Sequence, residues 1–356
     1  MSDSEEWSHP ASLEQVYRRT LSILRGQVQP SSLAQFTRFL VDWQGRTGPT
    51  SSLEDVLEQL EGYPAPPEVW ESEILSERVT GYSKSSLEKL MSRGKVFAMG
   101  AGSGKVRLVE RGHGWLFVTD SGEISASAEL LARFLAEQGA SFFEDFRESL
   151  DLSLSVLVDS LAELFWSGVV TNDVFGEVAR LRRTSMAQDE AILDRSQKMR
   201  KFRRTWKKLP GWTGRWSLVR SKGYLGKSGT PVERVEALVR LVLRRYGVVT
   251  CEWFSREKLP VSWAVAARVL ERMEWRGEVR RGVFVDQISG LQYALPEAVE
   301  TLRSTRVVSA DDSLRINACD PASPYGGGIP SDIPISRVPN LFVRLEAGQP
   351  VSVERA

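Results

Sequence analysis

The side chains with the most evident chemistry are cations. Between Arg195 and Arg245 the chain places 16 Lys or Arg against two acids, Glu233 and Glu236. That is a local charge of +14 in a chain whose total is +1, so everything else carries −13. Such asymmetry predicts a polyanion-facing segment on an acidic body. The densest part, Arg195–Lys208, holds eight basic and no acidic residues, with Phe202 and Trp206 interleaved. Within it Arg200, Lys201, Arg203, Arg204, Lys207 and Lys208, followed by Arg215, are candidate phosphate ligands, each neutralised phosphate steepening the salt dependence of binding by about 0.9. The alternative is a solvated linker. A second set is ordered by helical phase: Arg268, Arg272 and Trp275 fall at i, i+4 and i+7, opposite an apolar stripe of Ala266, Leu270 and Met273, with Arg280 and Arg281 just beyond. A helix face of this kind either contacts phosphates and base edges or is simply solvated.

Groups able to break bonds are sparse. His9 and His113 offer little for a histidine-based triad. Asp311, Asp312 and Asp320 precede or open a Pro/Gly-rich loop, and Asp320 is the catalytic candidate, as a carboxylate that could activate water or stabilise a cationic sugar. Its alternative role is to cap its own turn. Gly100-Ala101-Gly102-Ser103-Gly104-Lys105-Val106 departs from a phosphate-binding loop, because the glycine spacing is one residue short, Val106 stands where Ser or Thr would hold magnesium, and the segment joins two strands. It reads instead as a hairpin tip, either touching DNA backbone or free. Cys251 and Cys319 lack the spacing and companions of a zinc site or disulfide framework, so no metal and no cofactor is expected. The eight acids between Leu53 and Glu77 read as a solvated face, or as a docking face for the basic segment or a protein partner.

The elements that must position these residues repeat. Pro231–Val299 reads as a complete winged helix: a periodic helix ending at Gly247, a second at Trp263–Arg276 ending at Gly277, then the apolar runs Val279–Val285 and Leu291–Leu295 around a hairpin loop. Such a unit can put one helix into a DNA groove with its wing alongside. The same closing phrase recurs at Leu90–Val96, Leu164–Val170 and Met273–Val279, an apolar helix end, then glycine, then a valine entering a strand. The expected organisation is a disordered leader at 1–11, a first winged-helix unit with preceding helices at 12–120, a wing-poor second unit at 121–179, a basic linker at 180–230, a third unit at 231–303 and a β segment at 304–356. No apolar run approaches the roughly 18 residues of a membrane span, and the acidic start does not resemble a signal peptide, so a cytoplasmic protein without membrane contact is expected.

Five phrases carry a family resemblance: Phe39-Leu40-Val41-Asp42-Trp43-Gln44, Leu57-Glu58-Gln59-Leu60-Glu61-Gly62-Tyr63-Pro64, Thr213-Gly214-Arg215-Trp216-Ser217-Leu218, Arg245-Tyr246-Gly247-Val248-Val249-Thr250 and Asp320-Pro321-Ala322-Ser323-Pro324-Tyr325-Gly326. In order and spacing the chain resembles the C-terminal region of the Lhr (large helicase-related) family from about Leu13 onward. The resemblance implies an α+β, mainly α fold, with tandem winged-helix domains followed by a small β-barrel, here cut short at Ala356, an arrangement shared with AlkZ-like DNA glycosylases. In full-length family members this region follows an ATP-driven 3′-to-5′ helicase core and is linked to DNA repair. The chain has no Walker A or DEAH-type box, and no Gln-x-Gln glycosylase motif is placed near its N-terminal helices. The leading expectation is therefore a DNA-binding accessory region taking single-stranded or forked DNA, with a separately encoded helicase core as partner. The alternatives are a glycosylase using Asp320 and a protein-interaction scaffold.

Overall fold

The computed structural model describes Gln15 and residues 29–46, 52–102, 104–119, 122–183, 211–306, 313–327 and 329–356. The helix expected over Leu13–Arg25 lies outside this set apart from Gln15, as do the loop residue Ser103, Asp311, Asp312 and the basic run Arg195–Lys208. Three times the chain runs helix, short strand, helix, helix and two-stranded wing. In the first unit these are α2 (Leu53–Gln59), a bridge from Ala65 to Val106, α3 (Pro67–Val69) widening into a π-turn over Trp70–Ile74, α4 (Lys84–Ser92), β1 (Val96–Gly100) and β2 (Val106–Glu110). A reciprocal Ser52–Asp55 capping box starts α2.

The second unit comprises α5 (Ala126–Gln138), a bridge from Ser141 to Trp216, α6 (Phe143–Ser149), α7 (Leu154–Trp166), β3 (Val170–Asn172) and β4 (Trp216–Leu218). Here the expected boundary changes. Antiparallel pairs Val170–Leu218, Thr171–Ser217 and Asn172–Trp216 close the sheet across residues 173–215. This unit is not wing-poor, and the segment expected as a linker starting at 180 is an insertion between its two wing strands. Trp216 decides the pairing: its ring is fully buried in the core of the unit, and its backbone exchanges hydrogen bonds with Ser141 at 2.8 and 3.0 Å. Burying an indole of this size supplies a few kcal/mol, enough to recruit a strand from far along the chain.

The third unit follows after the short α8 (Lys222–Leu225): α9 (Pro231–Tyr246), β5 (Val248–Val249), α10 (Cys251–Arg256), α11 (Trp263–Trp275), β6 (Arg280–Gly282) and β7 (Gln292–Ala294), in sheet order β5-β7-β6. The recurring phrase is one C-terminal motif made three times. Gly94, Gly168 and Gly277 all have positive φ, at 68, 73 and 75°. The amide after each glycine reaches back five residues, Lys95 to Leu90, Val169 to Leu164 and Glu278 to Met273, at 3.0, 2.8 and 2.9 Å. This is the paired-carbonyl ending that a left-handed C′ glycine permits.

α12 (Pro296–Ser304) then leads to β8 (Ser313–Asn317), β9 (Leu341–Glu346) and β10 (Gln349–Arg355), an antiparallel sheet in order β10-β9-β8. The expectation of a β-barrel is not met among the described residues, where three strands form an open sheet. One face of that sheet packs on α1 (Leu33–Trp43), whose Phe36, Phe39 and Leu40 share a core with Val242, Leu270, Val343 and Leu345. α1 thus packs with the third unit and the C-terminal sheet, although the sequence places it ahead of the first unit. Gly348 at the β9–β10 turn lies against α1 so closely that an added Cβ would sit 2.1 Å from the Ala34 carbonyl oxygen.

Candidate nucleic-acid interface

α9 supports the candidate interface of the third unit. Thr230 and Glu233 form a capping box around Pro231, and Gly247 ends the helix at φ 65°. Its Leu238, Val239 and Val242 are buried, as are Ala266, Val269, Leu270 and Met273 of the α11 helix packed across it. That fixes the rotation of α11 and turns Arg268, Arg272 and Trp275 outward, with Trp275 49% exposed. Among the described residues neither Arg268 nor Arg272 has an ion-pair partner, so both guanidinium groups face solvent one helical turn apart.

The wing beside them is a built loop. Gln292 is fully buried, its Oε1 accepting from the amides of Phe284 and Val285 at 2.8 and 2.9 Å and its Nε2 donating to the carbonyls of Val285 and Ile288 at 2.9 and 3.0 Å. One side chain thereby supplies the bonds that irregular backbone would otherwise take from water. The two wing arginines are engaged: Arg280 pairs with Glu300 at 2.8 Å, and Arg281 lies 3.7 Å from Glu271 and over the Tyr293 ring. Of the residues expected in this part of the interface, the structure brings Arg268, Arg272 and Trp275 together on one face and commits Arg280 and Arg281 to protein neighbours.

At the base of the second wing Arg215 is held by Asp173, through the backbone amide at 2.7 Å and Nε at 3.1 Å. Arg180 lies 4.2 Å from the centre of the Trp212 ring, which stacks on Phe143. Arg200, Lys201, Arg203, Arg204, Lys207 and Lys208 fall in the insertion between β3 and β4, outside the described residues. The tip of the first wing is occupied by protein: the Gly102 amide donates to the Trp166 carbonyl at 3.0 Å, at the end of α7.

Asp320 is enclosed. It is 0% exposed, and its two oxygens accept from Arg78 Nη2 and Nη1 at 2.7 and 2.9 Å while the Ala322 amide donates to Oδ1 at 2.8 Å. Burial pushes the carboxyl upward, but the Arg78 guanidinium and its hydrogen bonds outweigh that and hold it below the ordinary carboxylate range. Arg78 also donates to the carbonyl and side-chain oxygens of Gln44. In this conformation Asp320 joins the C-terminal segment to the first unit, and a substrate could reach it only if the loop opened.

A grouping that the sequence did not suggest lies under α2. Glu61, Glu110 and His113 bring possible metal-ligand atoms within 4.8 Å of one another. Buried Glu61 already accepts the Glu110 amide at 2.9 Å and faces His113 Nδ1 at 3.0 Å, so an ion pair accounts for the arrangement. The hydrogen bond that His113 donates to Glu61 raises the pKa of His113 against a smaller opposing effect of burial. Nothing in the spacing of residues 61, 110 and 113 signals this in advance.

Comparison with known proteins follows the same division. Residues 31–111 and 228–314 each match the model of the winged-helix domain of the large helicase-related protein. The chain carries tandem winged helices of the Lhr family. A Mycolicibacterium smegmatis protein described as an Lhr helicase and probable uracil glycosylase is 31% identical over 92% of this chain and 23% of its own length. An Escherichia coli Lhr helicase/uracil glycosylase is 26% identical over 89% of this chain and 24% of its own. The chain therefore spans about a quarter of the length of the Lhr relatives it matches. The Streptomyces sahachiroi DNA glycosylase AlkZ superposes with a TM-score of 0.49 at 15% identity, covering 91% of this chain and 87% of that one. Among the described residues no helix is long and apolar enough to cross a membrane.

Proposed function

We propose that this chain is a DNA-binding region of an Lhr-type repair helicase, engaging single-stranded or forked DNA and working with a helicase core. The observation that carries the reading is the outward face of α11, where Arg268 and Arg272 stand without carboxylate partners among the described residues, beside Trp275 and a built wing. Positive charges left without protein partners on the groove-facing helix of such a fold suit phosphate oxygens. Fluorescence anisotropy of labelled forked and single-stranded oligonucleotides across a salt series tests it. Arg268→Glu with Arg272→Glu is expected to weaken binding at least about tenfold and to lower the salt slope by about 1.8, the loss of two phosphate contacts. Unchanged affinity in a folded double variant removes α11 from the interface.

A second reading, uracil excision, is favoured by the two Lhr relatives, one a helicase/uracil glycosylase and the other a helicase and probable uracil glycosylase. It assigns Asp320 the stabilising carboxylate, reached by opening of its loop. Uracil-containing DNA is the assay, with alkali cleavage of abasic sites as readout. Release by the unmodified chain that disappears in a folded, DNA-binding Asp320→Asn variant supports this reading, whereas equal release by both removes Asp320 from the chemistry.

A further inference from the structure

The interior junction of the first unit, the third unit and the C-terminal segment gathers cations in excess. Two buried acids there each have their own arginine: Asp320 pairs with Arg78, and Glu257 pairs with Arg245 while accepting from Tyr246 Oη at 2.8 Å. Five further cations converge on the same place, and among the described residues none has a carboxylate partner: Lys105, Arg107, Arg256, Lys258 and Arg337. Three are held by carbonyl and hydroxyl oxygens. Arg107 Nη2 donates to the carbonyls of Glu257 and Lys258 at 2.7 and 2.8 Å. Arg256 Nη2 donates to those of Pro324 and Gly326. Arg337 donates to the Ser323 carbonyl at 2.9 Å and to Tyr63 Oη at 2.8 Å. Dipoles of this kind fix an arginine without neutralising it, so the net charge of the junction stays positive.

The two lysines complete the arrangement. Lys105 follows the first wing's tip and is half-buried; burial and crowding by Lys258, Arg337 and Arg107 hold its ammonium below the usual lysine range. Burial likewise lowers Arg107 and Arg256 to about 10. Lys258 is exposed at the end of α10 and takes φ 47°, a left-handed backbone that a side chain with a Cβ disfavours. Its carbonyl is one that Arg107 binds, so the left-handed turn aims that carbonyl inward while the residue itself stays exposed. Uncompensated charge taken out of water is expensive, and an anion is the ligand that offsets it.

We infer that this junction is an inner phosphodiester site, in which Lys105 and Lys258 at the rim, backed by the fixed guanidinium groups of Arg107, Arg256 and Arg337, take a backbone phosphate of the bound DNA strand. The inference rests on the DNA-binding reading and adds to it a second contact point apart from α11. A strand held at both would be gripped by the third unit on its outer face and by the first-unit hairpin from within. The site reads charge and not base edges, so it contributes equally to all sequences.

The test uses the full chain with Lys105→Gln and Lys258→Asn, asparagine being chosen because it tolerates the left-handed backbone. The arginines stay in place, since their removal would strip bonds from buried carbonyls. Anisotropy against forked and single-stranded oligonucleotides across a salt series is expected to show a slope reduced by about 0.7 to 0.9, the loss of one phosphate contact, with the same proportional loss on unrelated sequences. Lys105→Arg is expected to keep the slope. Inorganic phosphate as sole probe separates the sources of the anion. It is expected to raise the melting temperature of the unmodified chain only slightly and to compete with DNA weakly. Tight phosphate binding that the double variant loses, together with an unaltered DNA slope, would assign the site to a free anion and overturn the inference. An unaltered DNA slope in the folded double variant overturns it while leaving the α11 reading intact. No salt-dependent DNA binding by the unmodified chain overturns both.

Discussion

The wings of the first and third units have the same strand order and opposite surroundings. β1 and β2 of the first are buried along nearly their whole length, with Phe97, Met99 and Val109 packed on Leu116, Val219 and Leu238 from beyond the unit. The third wing leaves Val283 and Leu291 at 48 and 42% exposure, and the adjoining helix face carries arginines without ion-pair partners among the described residues. One hairpin is a joint between units and the other an open edge. The difference follows from side-chain type, since alternation of large apolar residues on both faces of a strand pair requires cover on both sides, whereas Arg280, Arg281 and Gly282 do not. The same fold element is thus closed over by neighbouring elements in one unit and left open in the other.

The contrast is open to direct attack, beginning where the effect is largest. Gly100 ends β1 where an added Cβ would lie 1.8 Å from the Phe165 carbonyl oxygen, so Gly100→Ala must push the first and second units apart. A loss of about 3 kcal/mol or more is expected in chemical denaturation. Breaking the Arg78–Asp320 pair by Arg78→Met leaves a buried carboxylate unpaired and is expected to cost about 3–5 kcal/mol by the same measurement. If the joint were no more than a loose contact, Gly100→Ala would be as mild as Gly277→Ala in the third unit. There the glycine has nothing within 4 Å of an added Cβ, and only its left-handed φ of 75° is at stake, about 1 kcal/mol. Polar replacement of the open edge, Val283→Ser with Leu291→Ser, is expected to change stability by no more than about 0.5 kcal/mol.

The smallest expected effect is a titration at the foot of the first wing. His113 has a pKa raised by the bond it donates to Glu61, so its contribution to stability is fully present below the unfolded value of about 6.5 and is lost as pH rises through the folded value. The stability difference between the unmodified chain and His113→Gln should therefore be larger at about pH 5.5 than at about pH 9. A difference that does not change with pH would show that the Glu61 contact contributes nothing as an ion pair.

Much of the third unit is legible in the sequence because its signals are local. Periodic helices, a proline at the start of α9, Gly247 and Gly277 at the ends, and paired apolar runs all fall within one contiguous stretch. Only α10 escapes, being six residues long and too short to show a period. The second wing is illegible because its strands are separated by a charged insertion, and composition there outweighs three residues of strand pattern. The phrase around Trp216 stands out for its resemblance, but a strand partner 44 positions away leaves no periodicity. The placing of α1 is hidden for the same reason, since an amphipathic stripe tells that a helix is buried and not by what. At the candidate interface, the phase of Arg268, Arg272 and Trp275 is readable from helical spacing alone. The engagement of Arg280 with Glu300, and of Asp320 with Arg78 some 242 residues away, is not, because ion pairing depends on which charges the fold brings together.

The open C-terminal sheet has a bearing on how the molecule comes apart. It covers α1, α1 covers the third unit, and Asp320 at its root is locked into the first. Such a circuit makes early and late parts of the chain depend on one another for protection, so exposed amides in α1 should exchange with solvent at a rate set by the fraying of β8, β9 and β10. A protease cut after the third unit would then loosen the beginning of the protein as well as its end.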